Sequence, residues 1–271
     1  MSTCVWVVAL RALLLSCIFA GMYTLKKSLG QHFLKDENIC RRIVEQLNRL
    51  NFQRLLEVGP GGGALTKYLV QLPDIEFKAV ELDEEKISWL YQQYPALLNK
   101  IIQGDILEIP IPFDQPFTVI GNFPYNISTQ ILFRILEWGT NVESVIGMFQ
   151  KEVAQRIAAK EGSKIYGVTS VLIQAFYDVE YLFDVSENAF NPPPKVKSAV
   201  IRMLPRKQLL PIRDRASFFL LVKTAFNQRR KTLRNSLKSL FEATQLQDEL
   251  FNKRAEQLSV ETFAKLSFDM K

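Results

Sequence analysis

The sequence predicts an α/β fold: a mostly parallel sheet of seven strands with helices on both faces, followed by a small helical C-terminal domain. Three observations carry this expectation. From Arg54 onward, short β-rich apolar runs alternate with stretches of helical periodicity, the pattern of parallel strands joined by crossover helices. A glycine-rich run, Gly59-Pro60-Gly61-Gly62-Gly63, falls where the first strand should turn into its helix. Around Lys207–Pro211 the alternation stops, and the remainder is helical and basic. A length of 271 residues suits one large domain or one domain plus a smaller appendage.

The elements follow in order. Arg54–Val58 reads as a strand, Ala64–Gln71 as a helix, Phe77–Leu82 as a strand and Glu84–Tyr94 as a helix. Strands are expected near Ile101–Gln103 and Phe117–Gly121, then a helix at Thr129–Trp138. Val142–Phe149 is a further apolar strand before a helix at Lys151–Ala159. Val179–Phe183 and Ser198–Leu204 complete the sheet, separated by the turn-rich Asn191-Pro192-Pro193-Pro194. Helices are expected at Arg215–Asn227, Lys231–Ala243 and Val260–Leu266. The boundaries are therefore an apolar leader at 1–21, an α/β domain at 22–207 and a helical domain at 208–271.

The leader admits two readings. Val5–Leu10 and Ala12–Ala20 are apolar and Leu14-Leu15-Ser16-Cys17 loosely resembles a lipoprotein signal, which favours a secretory or anchor segment. Against this, no Lys or Arg precedes the apolar stretch and Arg11 interrupts it. Met22 is an alternative start, and the favoured expectation is that the functional chain begins there.

Composition narrows the chemistry. Cys4, Cys17 and Cys40 form no CxxC or paired pattern, which excludes a disulfide framework and a cysteine-type zinc site and fits a reducing compartment. His32 is the single histidine, so histidine triads and multi-histidine metal centres are untenable, and the expected metal ligands are none. The net charge is +6. Its distribution is more informative, with thirteen Lys/Arg between Lys195 and Lys238 against one acid, Asp214. So lopsided a stretch suits a phosphate-bearing partner.

Ligands of open α/β sheets bind at the carboxyl ends of the strands, and four stations fall there. Glu57-Val58-Gly59-Pro60-Gly61-Gly62-Gly63 ends the first strand; its Gly59-x-Gly61 is followed by Ala64 where a dinucleotide fingerprint would place the last glycine. The preceding acid and Pro60 favour S-adenosylmethionine, which needs backbone contacts and carboxylates rather than a phosphate cradle. Glu81 closes the second strand and suits both hydroxyls of a ribose, without by itself separating NAD from S-adenosylmethionine. Asp105 follows the third strand, placed to accept from an adenine amine, or to serve as a loop carboxylate.

The fourth station is Gly121-Asn122-Phe123-Pro124-Tyr125 after Phe117-Thr118-Val119-Ile120. The Asn122 side-chain oxygen and the Pro124 carbonyl can both accept from an exocyclic amine, and the Tyr125 ring can lie against the base. An aromatic amine is a poor nucleophile because its lone pair is delocalised. Two acceptors on its protons favour a pyramidal nitrogen whose lone pair faces a methyl donor. Together the four stations predict a class I S-adenosylmethionine-dependent methyltransferase with a Rossmann-like sheet.

With these motifs in order, the chain resembles the small-subunit (16S) ribosomal RNA adenine N6,N6-dimethyltransferases from Lys26 to about Leu266. The resemblance rests on Lys27-Ser-Leu-Gly-Gln-His-Phe-Leu34, the Glu57–Gly63 loop and Asn122-Phe-Pro-Tyr-Asn-Ile-Ser128. It continues through Gln150-Lys-Glu-Val153, Ala189-Phe-Asn-Pro-Pro-Pro-Lys-Val-Lys-Ser198 and Phe226-Asn-Gln-Arg-Arg-Lys-Thr-Leu-Arg-Asn-Ser236. It implies a cofactor pocket lined by His32, Leu34, Gly59, Glu81, Asp105 and Asn122. It further implies catalytic roles for Asn122, Pro124, Tyr125 and Phe190, with Phe190 stacking on the target adenine opposite Tyr125. Arg229, Arg230, Lys231 and Arg234 would contact RNA phosphates. The implied partner is 16S rRNA within an immature 30S subunit, bound by a cytoplasmic monomer with no membrane partner. Phe123 stands where leucine is more usual, a departure that should preserve the backbone acceptor.

Three other readings bear on the same residues. The 23S rRNA adenine methyltransferases of the macrolide-resistance type carry almost the same motifs, but Gly30-Gln31-His32-Phe33-Leu34 and the basic Asn227–Arg234 stretch are closer to the small-subunit enzymes. A non-catalytic RNA-binding assembly factor would not need the intact Asn122–Tyr125 motif. DNA adenine methyltransferases share that motif's logic but would need a separate sequence-reading domain, for which the chain offers no candidate.

Overall fold

The computed structural model describes residues 32–271. The expectations for the leader at 1–21, and for Lys27–Gln31 of the N-terminal motif, lie outside these residues. In chain order the elements are β1 (Phe33–Leu34), α1 (Glu37–Glu45), β2 (Arg54–Val58), α2 (Thr66–Leu69), β3 (Glu76–Glu81) and α3 (Glu84–Gln93). Then come β4 (Ile101–Gln103), β5 (Phe117–Asn122), α4 (Ser128–Trp138), β6 (Val142–Gln150), α5 (Lys151–Ile157) and α6 (Val168–Gln174). The last group is β7 (Tyr177–Val185), β8 (Phe190–Asn191), β9 (Ser198–Pro205), α7 (Arg215–Asn227), α8 (Leu233–Ser236) and α9 (Val260–Leu266).

Seven strands form one sheet in the order β4-β3-β2-β5-β6-β9-β7. The first five are mutually parallel, and β9 runs antiparallel to both β6 and β7. The central strands are apolar at successive positions because both faces are covered. Leu56 and Val119 point into the core on one face, while their neighbours Leu55 and Ile120 belong to the core on the other, as the two-residue period of a strand requires. Among the described residues no helix is long and apolar enough to cross a membrane.

Helix starts are set by short acceptors. Asp36 accepts from the amides of Asn38 and Ile39, Asp83 from Glu85, and Ser259 from Thr262. Asp214, the single acid of the basic stretch, accepts from the Ser217 amide at the start of α7. Such caps are worth about 1 kcal/mol each.

The elements α1, β1 and β8 have no expected counterpart, and expected and observed elements differ in two further places. The helix expected over Lys231–Ala243 is only α8, after which the chain proceeds through turns and short 3-10 segments. Buried Leu237 and Phe241 turn inward, and the Glu242 amide donates to Gln245 Oε1, so tertiary packing overrides helix propensity. Conversely, α6 has no counterpart among the expected elements. Val168, Thr169, Val171 and Ile173 are β-branched and suppress the helical signal. The Gly167 amide donates to Ser170 Oγ at 3.0 Å, and Gln174 Nε2 donates to the Ile157 and Ala159 carbonyls.

The helices after Pro205 do not stand apart from the sheet. Phe218, Leu221, Val222, Leu237 and Phe263 share one buried cluster with Leu56, Val119, Phe123 and Phe149. Residues His32–Lys271 form a single compact unit.

Candidate active site

The strand order reverses between β2 and β5: chain progression runs outward through β3 and β4 on one side and through β6 on the other. A crevice opens at the carboxyl ends of strands flanking such a switch point. Gly59 follows β2 directly and Asn122 ends β5, so the glycine loop and the Asn-Phe-Pro-Tyr motif face each other there. A Cβ built on Gly59 would lie 4.0 Å from Pro124 Cδ.

The loop is a tight turn, with the Gly63 amide donating to the Pro60 carbonyl at 2.8 Å. Gly63 has φ +78°, and a Cβ there would sit 2.8 Å from the Tyr94 ring. Only glycine satisfies both conditions. At the strand before the loop, Glu57 is buried and accepts from Thr66 Oγ1 at 2.8 Å. Burial pushes its carboxyl up to about 8; the Glu81 charge adds to this and the Thr66 hydrogen bond opposes it. Glu57 therefore ties β2 to α2 as a neutral acid at neutral pH. The carboxylate facing the crevice is Glu81.

Glu81 is held by three backbone donors. Gly61 donates to Oε2 at 3.0 Å, while Leu82 and Asp83 donate to Oε1 at 3.0 and 3.1 Å. A carboxylate has about four acceptor positions, so one remains for a ligand hydroxyl. The hydroxyls expected at Glu81 would share its oxygens with these backbone amides. Asp105 Oδ1 accepts from the Leu107 amide at 2.9 Å, leaving Oδ2 for an amine. A glycine loop without side chains, a carboxylate at the end of β3 and a second acid after β4 fit the ribose and adenine of S-adenosylmethionine.

On β5, a Cβ on Gly121 would meet the Val58 carbonyl at 2.6 Å, so the strand carrying the motif packs against β2 as closely as backbones allow. Asn122 Nδ2 donates to the His32 carbonyl at 3.3 Å, which turns Oδ1 outward as an acceptor. Phe123 is fully buried and meets Phe149 edge to face, with centroids 5.0 Å apart and an interplanar angle of 86°. Such a pair is worth about 0.5–1.5 kcal/mol beyond area burial, which accounts for a larger ring at that position. The Pro124 carbonyl already accepts from the Ile127 amide at 3.2 Å and keeps one lone pair for an amine.

Tyr125 is half-buried. Its hydroxyl pairs with Ser198 Oγ on β9, and its ring lies 5.7 Å from the His32 ring at 32°. Burial raises its phenol above the ordinary range, with the Ser198 hydrogen bond opposing. His32 Nδ1 contacts the Pro192 carbonyl at 2.9 Å. Leu34 and Phe190 face each other across the β1–β8 pair, and both are buried. Phe190 is 0% exposed and packs in the buried cluster with Leu34, Val185 and Val200, so the expected stacking on a base requires it to turn out.

The four basic residues separate into two kinds. The Arg229 guanidinium donates to the Lys164 carbonyl, with Nε 4.0 Å from Glu256. Arg234 Nε donates to the Leu246 carbonyl at 2.8 Å. These two brace loops. Arg230 and Lys231 are exposed between them.

The model of the ribosomal RNA adenine dimethylase family matches residues 22–269. The chain belongs to this family. It is 53% identical over 247 residues to the ribosomal RNA small subunit methyltransferase A of Flavobacterium johnsoniae, covering 89% of this chain and 94% of that protein. Among solved structures, it is similar to a dimethyladenosine transferase from Plasmodium falciparum, with TM-score 0.73 and 22% identity over 88% of this chain and 99% of that one. The 23S rRNA methyltransferase ErmE is similar with TM-score 0.65 and 23% identity over 86% and 99%. Those two likenesses show the fold, an α/β sheet shared by the dimethylase family and ErmE.

Ser198 and Pro192 enter the site without a role having been read for them in the sequence. Ser198 leads the otherwise apolar run Ser198-Ala-Val-Ile201 and is fully buried. A buried hydroxyl needs a partner, and Tyr125 supplies it; the sequence-level signal for Ser198 is its place at the end of the Ala189–Ser198 motif.

Proposed function

We propose that this ribosomal RNA adenine dimethylase transfers methyl groups from S-adenosylmethionine to N6 of two adjacent adenines in a 3′-terminal hairpin of 16S rRNA. The product is N6,N6-dimethyladenosine, made during small ribosomal subunit biogenesis. The observation that carries the site reading is Asn122. Its amide nitrogen is committed to the His32 carbonyl, so its oxygen is left for the amine.

The bound cofactor supplies an electrophilic methyl group on a sulfonium. The chain does the rest. Asn122 Oδ1 and the Pro124 carbonyl accept hydrogen bonds from the amine, two N–H groups in the first transfer and the one that remains in the second, which localises the nitrogen lone pair. Tyr125 supports the base face, and Phe190 supplies the opposite face once turned outward. Gly59, Glu81 and Asp105, with the backbone of His32 and Leu34, hold the cofactor side. Bringing the reacting atoms to about 3–3.5 Å supplies much of the rate. No strong base is required, because the amine proton becomes acidic only as nitrogen gains positive charge. The target adenine must leave its stack to enter, so it lies in a loop or at an exposed helix end.

Residues 22–207 form the catalytic part and 208–271 the RNA-binding part, with Arg230 and Lys231 contacting phosphate. The enzyme acts as a cytoplasmic monomer on an immature 30S subunit. The small-subunit substrate is favoured because a relative 53% identical over 89% of this chain is a small-subunit enzyme.

The test is methyl transfer from labelled S-adenosylmethionine to undermethylated 30S and 50S particles, with Asn122→Ala as control. Dimethyladenine in 30S alone, lost in the control, is expected. Label in 50S would move the substrate to 23S rRNA, and no label in either would leave an RNA-binding assembly factor.

A further inference from the structure

We infer that the His32 side chain is a positioning residue for the methyl-accepting base: it fastens the Pro192 loop beside Tyr125, while its backbone carbonyl turns Asn122 toward the amine. The inference rests on the reading of Asn122 and Tyr125 as the base-binding groups. It differs from the expectation that His32 lines the cofactor pocket, because side chain and backbone of this residue do different work.

Four observations converge on it. The Pro192 carbonyl can only accept, so the 2.9 Å contact requires a proton on His32 Nδ1. The imidazole ring lies 5.7 Å from the Tyr125 ring, tilted by 32°, so the two rings are neighbours. The His32 carbonyl accepts from Asn122 Nδ2, fixing which atom of that amide is free. The residues that follow are joined to the same loop: Phe33 pairs with Asn191, Leu34 with Phe190, and the amides of Lys35 and Asp36 donate to the Ala189 carbonyl at 2.8 and 3.3 Å. Phe33 in turn reaches the other substrate's loop, its ring 3.3 Å from where a Cβ on Gly62 would stand. Residues 32–36 are thus a strap between the glycine loop and the loop carrying Phe190 and Pro192, and His32 is its end on the base side.

The side chain can be divided by substitution. In His32→Asn the amide nitrogen takes the place of Nδ1 and can donate to Pro192. In His32→Phe the ring remains and the donor is gone. In His32→Ala both are lost. For the purified full-length chain, S-adenosylhomocysteine affinity is measured by calorimetry, and kcat and KM are measured on undermethylated 30S particles. His32→Ala and His32→Phe are expected to lose roughly tenfold or more in kcat, the equivalent of one hydrogen bond. The S-adenosylhomocysteine Kd should stay within about threefold, since backbone contacts persist, and His32→Asn should recover most of the rate.

A tenfold weaker S-adenosylhomocysteine Kd in His32→Phe, with wild-type kcat at saturating cofactor, would assign the ring to the cofactor and overturn the inference. Wild-type values in all three variants would make His32 a packed turn and overturn it equally. Thermal melts accompany each variant, and if His32→Ala fails to fold, the Phe and Asn variants decide. Asn122→Ala and Tyr125→Ala are run beside them. If those two methylate normally, the base site itself is misassigned; if they are inactive while His32→Phe is normal, only the role of His32 is wrong.

Discussion

Tyr125 and Ser198 share a hydrogen bond between their hydroxyls although 73 residues separate them in the chain. Ser198 is buried on β9, where its backbone is paired with Gln150 on one side and Val185 on the other. The Tyr125 hydroxyl is therefore anchored to the sheet itself and not to a loop. Tyr125→Phe and Ser198→Ala should each cost about 1–2 kcal/mol of stability, because each leaves a buried hydroxyl or its partner unpaired. The double variant should cost less than the sum. Urea titrations of the four proteins in the cycle check this, and strict additivity would mean the two hydroxyls are independent.

Glu81 satisfies three loop amides while facing the crevice. Glu81→Ala should weaken S-adenosylmethionine binding by roughly tenfold or more, and Glu81→Gln, which keeps one acceptor oxygen, by less. Calorimetric Kd values separate the three proteins. Equal affinity for wild type and Glu81→Ala would remove this carboxylate from the cofactor site.

Glu57 gives a pH dependence of known sign. Its carboxyl rises from an ordinary value of 4.5 to about 8 on folding, so the folded state holds this proton more tightly than the unfolded one. The associated stability is full below about 4.5 and is lost as pH climbs through about 8. Glu57→Gln, which cannot ionise, should flatten the wild-type decline in melting temperature between pH 5 and pH 8.5. Parallel slopes for the two proteins would show that Glu57 ionises without cost.

The basic residues should respond differently to truncation. Removing Arg230 and Lys231 together should lower the slope of log K against log salt for rRNA binding by about 1.4–1.8, two neutralised phosphates at 0.7–0.9 each. Arg234→Ala should leave that slope nearly unchanged and lower the melting temperature instead, since its guanidinium caps the Leu246 carbonyl. Filter binding over a salt series, with melts alongside, distinguishes phosphate contact from bracing.

The sheet was legible because its signals are local. β2 and β4 run over the expected residues, as do α7 and α9, each an apolar run bounded by glycine, proline or a capping residue. What was not legible depends on partners far along the chain. The helical pattern after Lys231 could not reveal that Leu237 and Phe241 turn inward and break it, and the β-branched residues of α6 carry no helical period. At the site, the types and stations of Glu81, Asp105 and Asn122 could be read from strand ends. Their occupancy could not: that Glu81 already serves three amides, that Phe190 is enclosed, or that Arg229 and Arg234 face carbonyls. Those facts depend on which backbone atoms come near, and no spacing encodes them.

The joined core has a geometric consequence. Phe218, Leu237 and Phe263 from the C-terminal region are packed in the same cluster as Phe123 of the Asn122–Tyr125 motif, so interlocked side chains tie the region that carries Arg230 to the region that carries Asn122. In the proposed reaction the enzyme then works as a gauge: one end rests on phosphates, and whichever adenines lie at the other end are the ones methylated.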